Sequence, residues 1–247
     1  MNIHSDYSKR VVINHNDLPW QSSPEPKVER RMLDRIGDEV AKATSVVRYK
    51  PNSKFPKHVH ELGEEILVLK GVFSDETGDY PEGTYMMNPP GSSHAPFSKD
   101  GCELFVKLRH LGTEQIEREI INTKTAQWHQ GLVPGLKVMP LMQQGLGSTL
   151  VKWDPETYFN PHQHFGGEEI FVVSGVFEDE FGTYKEGLLN AIDLSRPELA
   201  DVRKASVTGD RVAAGRALAA NIRSRRDWLR EVPQAKAPDF GYDTSEA

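Results

Sequence analysis

Two histidines and one glutamate near residue 60 have the types and the spacing of a metal site. His58 and His60 are separated by one residue, and Glu64 has the same parity. On an extended strand such residues leave the same face, whereas Glu65 should point away. Two imidazoles and one carboxylate on one face favour a divalent metal such as Fe, Zn, Mn or Ni. The sequence therefore predicts one metal ion here, with these residues as ligands and not as proton carriers.

A fourth candidate ligand and a second set of ligands follow further along the chain. His94 comes after a Pro/Gly turn at 89–91, which would return its imidazole to the first three ligands. His162, His164 and Glu168 repeat the first pattern, but no histidine follows His164. Three protein ligands with water can hold an ion. Whether this second site binds metal is left open, and the catalytic residues are unknown.

These patterns recur because the chain repeats itself once. Residues 55–83 align with residues 159–187 at an offset of 104 without a gap, and 17 of the 29 positions are identical. Upstream the offset becomes 108, so that Trp20 falls on Trp128. The unit is longer than the 20–50 residues of stacked arrays, which indicates a two-copy duplication and not a solenoid.

The elements that position the candidate ligands are predicted to be strands. Residues 45–49 and 64–73 carry clustered β-branched and aliphatic side chains, and turn signals separate such runs. No long helical pattern lies between them. This pattern of short strands separated by turns is typical of an antiparallel sandwich or barrel with room for a small ligand inside.

The repeat stops after Gly187, and the sequence changes character. Ser195–Glu198 has the form of a helix capping box, and residues 211–230 are rich in alanine and arginine with aliphatic residues at near-helical intervals. We therefore expect a helical hairpin over 188–231 and a loose tail over 232–247. Six arginines in 211–230 raise the question of nucleic acid, but a solvated helix face is the preferred interpretation.

Two spaced motifs resemble those of the cupin superfamily. The first is His58-Val59-His60, three residues, Glu64, six residues and Gly71; the second is Gly83, five residues, Pro89-x-Gly91, two residues and His94, although Ser98 stands where that motif ends in Asn. The segments HELGEEILVLKGVFSDE, PPGSSHAPFS and FVKL make the chain similar to ChrR-like cupins, the metal-binding half of ChrR-type anti-sigma factors.

The resemblance implies a jelly-roll β-barrel in which three histidines and one glutamate hold a metal. It predicts a complete metal-binding domain at 17–112 and a partial repeat at 125–187 that lacks its closing strands and its fourth ligand. ChrR-type regulators also have a helical zinc domain with one His and two Cys. With one cysteine and no such segment, this chain is not expected to bind a sigma factor in that way.

Composition excludes several other classes. No run approaches the roughly 18 apolar residues of a membrane span, and no signal peptide is recognisable, so we expect a cytoplasmic protein without membrane contact. The single Cys102 rules out an intramolecular disulfide framework, and a net charge of −6 argues against a nucleic-acid partner. An incomplete second barrel would expose strand edges that favour a homo-oligomer.

Two functions fit these observations. The first is a metal-dependent dioxygenase-type oxidoreductase acting on a small carbonyl or enolisable substrate, since the ligand set leaves the ion cationic with open positions. The alternative is a non-catalytic regulatory module that holds a structural or sensory ion. The sequence leaves both open, and in both the partner is a small molecule or a metal.

Overall fold

The computed structural model describes residues 1–111, 116–142, 148–159, 168–179, 182–192 and 215–220, with the backbone alone for 192 and 215–220. In the first half of the chain the elements are β1 (Asn2–Ile3), β2 (Val11–Asn14), a 3-10 helix (His15–Asp17), β3 (Gln21–Ser22), β4 (Val28–Gly37), β5 (Ala41–Tyr49), β6 (Ser53–Lys54), β7 (His58–His60), β8 (Glu64–Asp75), β9 (Gly78–Pro81), β10 (Thr84–Asn88), β11 (Ser92–His94), β12 (Phe97–Ser98) and β13 (Cys102–Leu108). In the second half they are β14 (Glu119–Asn122), β15 (His129–Gln130), β16 (Leu136–Pro140), β17 (Thr149–Trp153), β18 (Glu168–Ser174), β19 (Val176–Asp179), β20 (Gly182–Lys185), β21 (Leu188–Ile192) and β22 (Gly215–Ala220).

Two large antiparallel sheets have the same strand order. One sheet runs β1-β4-β5-β13-β8-β10-β14, and the other runs β15-β16-β17-β22-β18-β21-β2. When the two orders are aligned from β4 in the first sheet and β16 in the second, the strands at each following place are counterparts in the repeat. The far half of β8 pairs with β9 and β12, and β7 pairs with β11, which gives the first repeat a smaller second wall. The prediction of a mainly β chain is confirmed.

The two repeats exchange their leading strands. β2 precedes the first repeat but pairs with β21 of the second, with Val11 opposite Ala191. β14 precedes the second repeat but pairs with β10 of the first, with Asn122 opposite Thr84. These two strands lie 108 residues apart, which is the upstream offset of the repeat. Each sheet is therefore completed by a segment that belongs, in sequence, to the other copy.

A hydrophobic core joins the two sheets. It is formed by buried residues of both repeats: Leu33, Val46, Leu67, Tyr85, Met87 and Phe105 from the first, and Met139, Leu141, Leu150, Phe171 and Leu189 from the second. Phe105 and Phe171 stack across this boundary with ring centroids 4.5 Å apart. Leu67 and Phe171 occupy equivalent positions in the two repeats. The same face of each sheet is therefore buried against the other repeat.

The other face of the first sheet lines a second core, between this sheet and the smaller wall. Ile66, Val68 and Val106 belong to it, and they alternate along β8 and β13 with residues of the inter-repeat core. Gly71 lets β8 bend from the large sheet into the smaller wall: its φ is +77°, and a Cβ there would lie 2.3 Å from the carbonyl oxygen of Gly101. The two-faced burial explains why β8 reads as a nearly continuous apolar run.

The predicted helical hairpin over 188–231 is wrong for the described part of that segment. Residues 188–192 form β21, and residues 215–220 form β22, which lies between β17 and β18 exactly where β13 lies in the first repeat. Ladder partners on both sides override the helix propensity of this alanine-rich stretch. The second repeat thus has two strands after Gly187 that the sequence did not predict.

The remaining parts of the predicted hairpin and the predicted tail at 232–247 lie outside the described residues. In the part of the chain that the structure describes, no helix is long and apolar enough to cross a membrane.

Candidate metal centre

Three of the candidate ligands lie on one short antiparallel pair. In the pairing of β7 with β11, His94 is opposite His58 and Ser92 is opposite His60. The turn at 89–91 brings β11 back, and it is held by a hydrogen bond from the Gly91 amide to the His60 carbonyl at 2.8 Å. Alternation along β7 leaves His58 and His60 on one face, as the sequence predicts.

Glu64 joins the three histidines after a turn. β7 ends at His60, and the Gly63 amide donates to the His60 carbonyl at 3.3 Å, so the strand does not continue as the parity argument assumed. Gly63 has φ +76°, a conformation that favours glycine. β8 begins at Glu64, whose side chain faces the three histidines. One ligand atom from each of the four residues lies within 4.8 Å of the others.

The distances within this cluster suit a shared ion better than direct bonds. Nε2 of His60 and Nε2 of His94 lie 3.4 and 3.6 Å from Oε2 of Glu64. Nε2 of His60 is buried and has no hydrogen-bond partner among the described residues. A buried polar nitrogen without a partner is costly. A divalent cation at the centre of the four side chains would satisfy it.

Burial sets the protonation of these groups. It lowers the pKa of His60 to about 3 and that of His94 to about 4, with further lowering by the other imidazoles. Both rings are therefore neutral at pH 7, which is the form that binds metals. Burial also raises the pKa of Glu64 to about 7, although a hydrogen bond from Asn88 and the charge of Arg118 act in the opposite direction. A bound cation would favour the carboxylate.

A surrounding layer of polar residues orients the ligands. Asn88 donates from Nδ2 to Oε2 of Glu64 at 2.9 Å, and Asp75 Oδ2 lies 3.5 Å from Nδ1 of His94 without a hydrogen bond between them. Arg118 donates to Asn88 Oδ1 at 2.9 Å and to Asp75 Oδ2 at 2.8 Å. His58 donates from Nδ1 to the Pro56 carbonyl at 2.9 Å, which leaves its Nε2 for a metal.

Sequence reasoning missed Asp75, Asn88 and Arg118. Asp75 recurs as Asp179 inside the aligned repeat, and Arg118 recurs as Arg10 at the offset of 108. That recurrence was the available signal, but nothing local shows that these side chains surround a metal site.

Comparison with known families now places the chain. A family model for the ChrR cupin-like domain matches residues 8–112 and, a second time, residues 116–191. The chain belongs to the ChrR cupin-like family. The family model thus assigns β2 and β14 to the copies in which they lie in sequence, and the fold exchanges them in space. Comparison with curated proteins gives no match.

Solved structures share the cupin fold at low identity. A candidate dioxygenase from Nostoc punctiforme is 14% identical with a TM-score of 0.64, over 86% of this chain and 82% of its own. The bacterial pirin YhhW from Escherichia coli, solved with nickel(II), is 12% identical with a TM-score of 0.59, over 86% of this chain and 98% of its own. A variant of Bacillus subtilis oxalate decarboxylase is 13% identical with a TM-score of 0.51, over 96% and 86%. These similarities concern the fold alone.

The second repeat of this cupin keeps part of the surrounding layer, while its first motif lies mostly outside the described residues. His162 and His164 are not described, and Glu168 is half-buried at the start of β18. Arg10 pairs with Asp179 at 3.0 Å, as Arg118 does with Asp75, and it donates to Asn190 at 3.1 Å. Asn190 is the repeat counterpart of Met86, however, and Ile192 stands in the place of Asn88. Among the described residues, His58, His60, Glu64 and His94 are the cluster with metal-ligating geometry.

The metal ligands of the first cupin repeat line a cavity of about 480 Å³. Its walls combine the four ligands with apolar side chains of the first sheet. These side chains, among them Val47, Ile66 and Val106, lie on the face that points away from the second repeat, which we call the inner face. This volume lies in the range of small-molecule sites. A ligand in this cavity would contact the metal directly.

Proposed function

We propose that this cupin is a metal-dependent oxidoreductase of the dioxygenase type that acts on a small carbonyl or enolisable substrate. The observation that carries the proposal is the convergence of three imidazoles and one carboxylate on the wall of a small, mainly apolar cavity. With neutral histidines and one ionised glutamate, a divalent ion would keep a single net positive charge. When bound, it supplies a Lewis acid for a substrate oxygen and for O2.

The residues of the chain have defined tasks in this proposal. His58, His60, Glu64 and His94 hold the ion, while Asn88 and Arg118 fix the carboxylate that completes it. The apolar wall keeps bulk water from the reacting carbons, which strengthens electrostatic interactions inside the cavity. Both atoms of O2 enter the products, so the reaction requires no external reductant.

The test begins with elemental analysis of protein purified without added metal. Oxygen uptake is then measured with a panel of diketones and hydroxyacetophenones, and one O2 per substrate is expected. With ¹⁸O2, both labels should appear in the products. His60→Ala should abolish metal binding and oxygen uptake together, whereas His129→Ala, an exposed histidine on β15, should change neither. Full metal content with no uptake across the panel contradicts the proposal.

The second candidate is a metal-loaded regulatory module, and the match to the ChrR cupin-like family favours it. In that case the ion has a structural or sensory task, and a closed sphere of four protein ligands suits zinc. Stoichiometric zinc in the purified protein, retained during turnover assays without oxygen consumption, would support this function over the first.

A further inference from the structure

The metal cavity contains a buried arginine that forms no ion pair with any acidic residue in the described part of the chain. Arg35 is 3% exposed and lines the same cavity as the four candidate ligands. In the sheet register, Arg35 is opposite Ala43, Ala43 is opposite Leu108, and Leu108 is opposite Glu64. Arg35 and Glu64 therefore lie on one row of the inner face, three strand spacings or about 14 Å apart along the sheet.

The space between these two residues suits a small molecule. The row is bridged by the short side chain of Ala43, and Ala41 and Ser45 are its neighbours on the same face of β5. Side chains on one face of a sheet stand roughly perpendicular to it, so Arg35 and Glu64 face the same cavity with a gap between them above the small Ala43. Leu108 and Val106 supply apolar wall along that gap.

Within the described ranges, Arg35 lies near acidic residues but is not paired with one at ion-pair distance. Arg35 donates to the backbone carbonyl of Asp38, and in the described part of the chain no ion pair joins it to an acidic group. Arg30, two rows along the same face of β4, pairs through both Nη atoms with Glu39 at 3.2 and 3.0 Å, but its buried Nε has no partner among the described residues. Glu39 is thus paired with Arg30, and Arg35 is left without a carboxylate at hydrogen-bonding distance among the described residues. Burying such a charge is costly unless an anion compensates it.

We propose that Arg35, supported by Arg30, is an anion subsite, and that the substrate is an enolisable carbonyl compound that also carries a carboxylate. The carbonyl end faces the metal, and the carboxylate is bound by the guanidinium fork of Arg35, whose geometry matches a carboxylate. This inference rests on the proposed function, and it narrows the substrate class to small oxo acids.

Two matched probes test it: 2,4-dioxopentanoate and the neutral pentane-2,4-dione, which share the enolisable diketone and differ by the carboxylate. Binding is measured by calorimetry without oxygen, on the full chain loaded with Zn²⁺. We expect the anionic probe to bind at least about 10-fold more tightly. Arg35→Met should remove this preference, and Arg35→Lys should retain part of it. Affinity for the neutral probe should change less than about 2-fold in both variants.

Arg31→Met is the matched control, because Arg31 lies on the opposite face of β4 with its guanidinium 4.2 Å from the Trp20 ring centre, outside the cavity. It should leave both affinities unchanged. Equal or absent binding of the two probes by the unaltered protein would overturn the subsite, as would an anionic preference that survives Arg35→Met in a folded, metal-loaded variant.

The two proposals fail in different ways. Arg35-dependent binding without oxygen uptake would overturn the oxygenase and leave the anion subsite standing. Oxygen uptake together with equal affinity for the two probes, or with an anionic preference that Arg35→Met does not change, would do the reverse. If Zn²⁺ does not bind, the metal centre fails, and the Arg35-dependent preference is measured in the metal-free protein.

Discussion

At the scale of single residues, two adjacent glutamates serve opposite faces of one strand. Glu64 faces the metal cavity and the three histidines. Glu65 faces the other repeat, where it accepts hydrogen bonds from the Tyr85 hydroxyl at 2.7 Å and from the Ser148 hydroxyl. Both carboxylates are buried, so their tasks are set by alternation along β8 and by what each face meets.

Glu64→Gln is expected to lower metal affinity by at least about 100-fold, because it removes the only anionic ligand of the cluster. Glu65→Gln is the control: it should leave metal affinity within a few fold and instead lower the free energy of unfolding by about 1–2 kcal/mol. Metal titration and chemical denaturation of the two variants separate these effects. The reverse order of affinities would mean that Glu65 is the ligand.

Asp34 makes stability depend on pH at the boundary between the repeats. Burial, followed by the charge of Glu169, raises the pKa of Asp34 to about 6, although the Tyr7 hydrogen bond and the charges of Lys107 and Lys42 oppose this. The folded protein therefore holds this proton more tightly than the unfolded chain, where the pKa is near 3.8. The free energy of unfolding should fall as pH rises from about 4 to about 6, and the loss is complete above pH 6.

Asp34→Asn should remove this dependence, since its amide oxygen can still accept from Tyr7. We expect the variant to be more stable than the parent by up to about 3 kcal/mol above pH 6 and to match it below pH 4. Denaturation midpoints measured between pH 4 and pH 8 test this. A stability difference that does not vary with pH would show that Asp34 does not titrate in this range.

At the scale of elements, exchanged strands carry a supporting residue into the opposite repeat. Arg118 immediately precedes β14, which pairs with β10 of the first repeat. From there it contacts Asn88 and Asp75, which support Glu64 and adjoin His94. Arg10 precedes β2 and makes the equivalent ion pair with Asp179 in the second repeat, and it also contacts Asn190. The site in the first repeat is thus completed by the second.

Arg118→Met should weaken metal binding at the first site by about 10- to 100-fold, the usual cost of losing an outer contact to a ligand. Arg10→Met is the matched control, because it removes the counterpart arginine, with its contacts to Asp179 and Asn190, from the second repeat and leaves the first cluster intact. Metal titration of both variants is the measurement, with circular dichroism to verify folding. Equal affinities in the two variants would show that Arg118 plays no part in holding Glu64.

The sequence predicted the candidate ligands, whose spacing follows recognisable motifs, and missed the supporting residues, which no motif marks. His58, His60, Glu64 and His94 come together as expected because a tight turn and one short strand pair suffice. Arg118 lies 30 residues from Asn88, and only the strand exchange brings them into contact. Residues 215–220 were misassigned because local alanine content favours helix, whereas the open place between β17 and β18 selects a strand.

At the scale of the whole molecule, two features make the repeats a single cooperative unit. Each sheet ends in a strand from the other copy, and the core between the sheets is formed by equivalent residues of both. If the two repeats separated, the apolar face that each sheet buries in this core would be exposed to water. We therefore expect the described sheets to unfold together.

Phe171→Ala tests this cooperativity, because Phe171 is 1% exposed and stacks on Phe105 across the boundary. The lost contacts and the cavity should cost about 3 kcal/mol. Amide hydrogen exchange should then accelerate in β8 as much as in β18, although the substitution lies only in the second repeat. Phe177→Ala is the matched control: Phe177 is half-buried and contacts Trp153 and Tyr184 of its own repeat, so its effect should stay in β18–β20. Faster exchange confined to β18 after Phe171→Ala would mean that the first repeat keeps its fold without its partner.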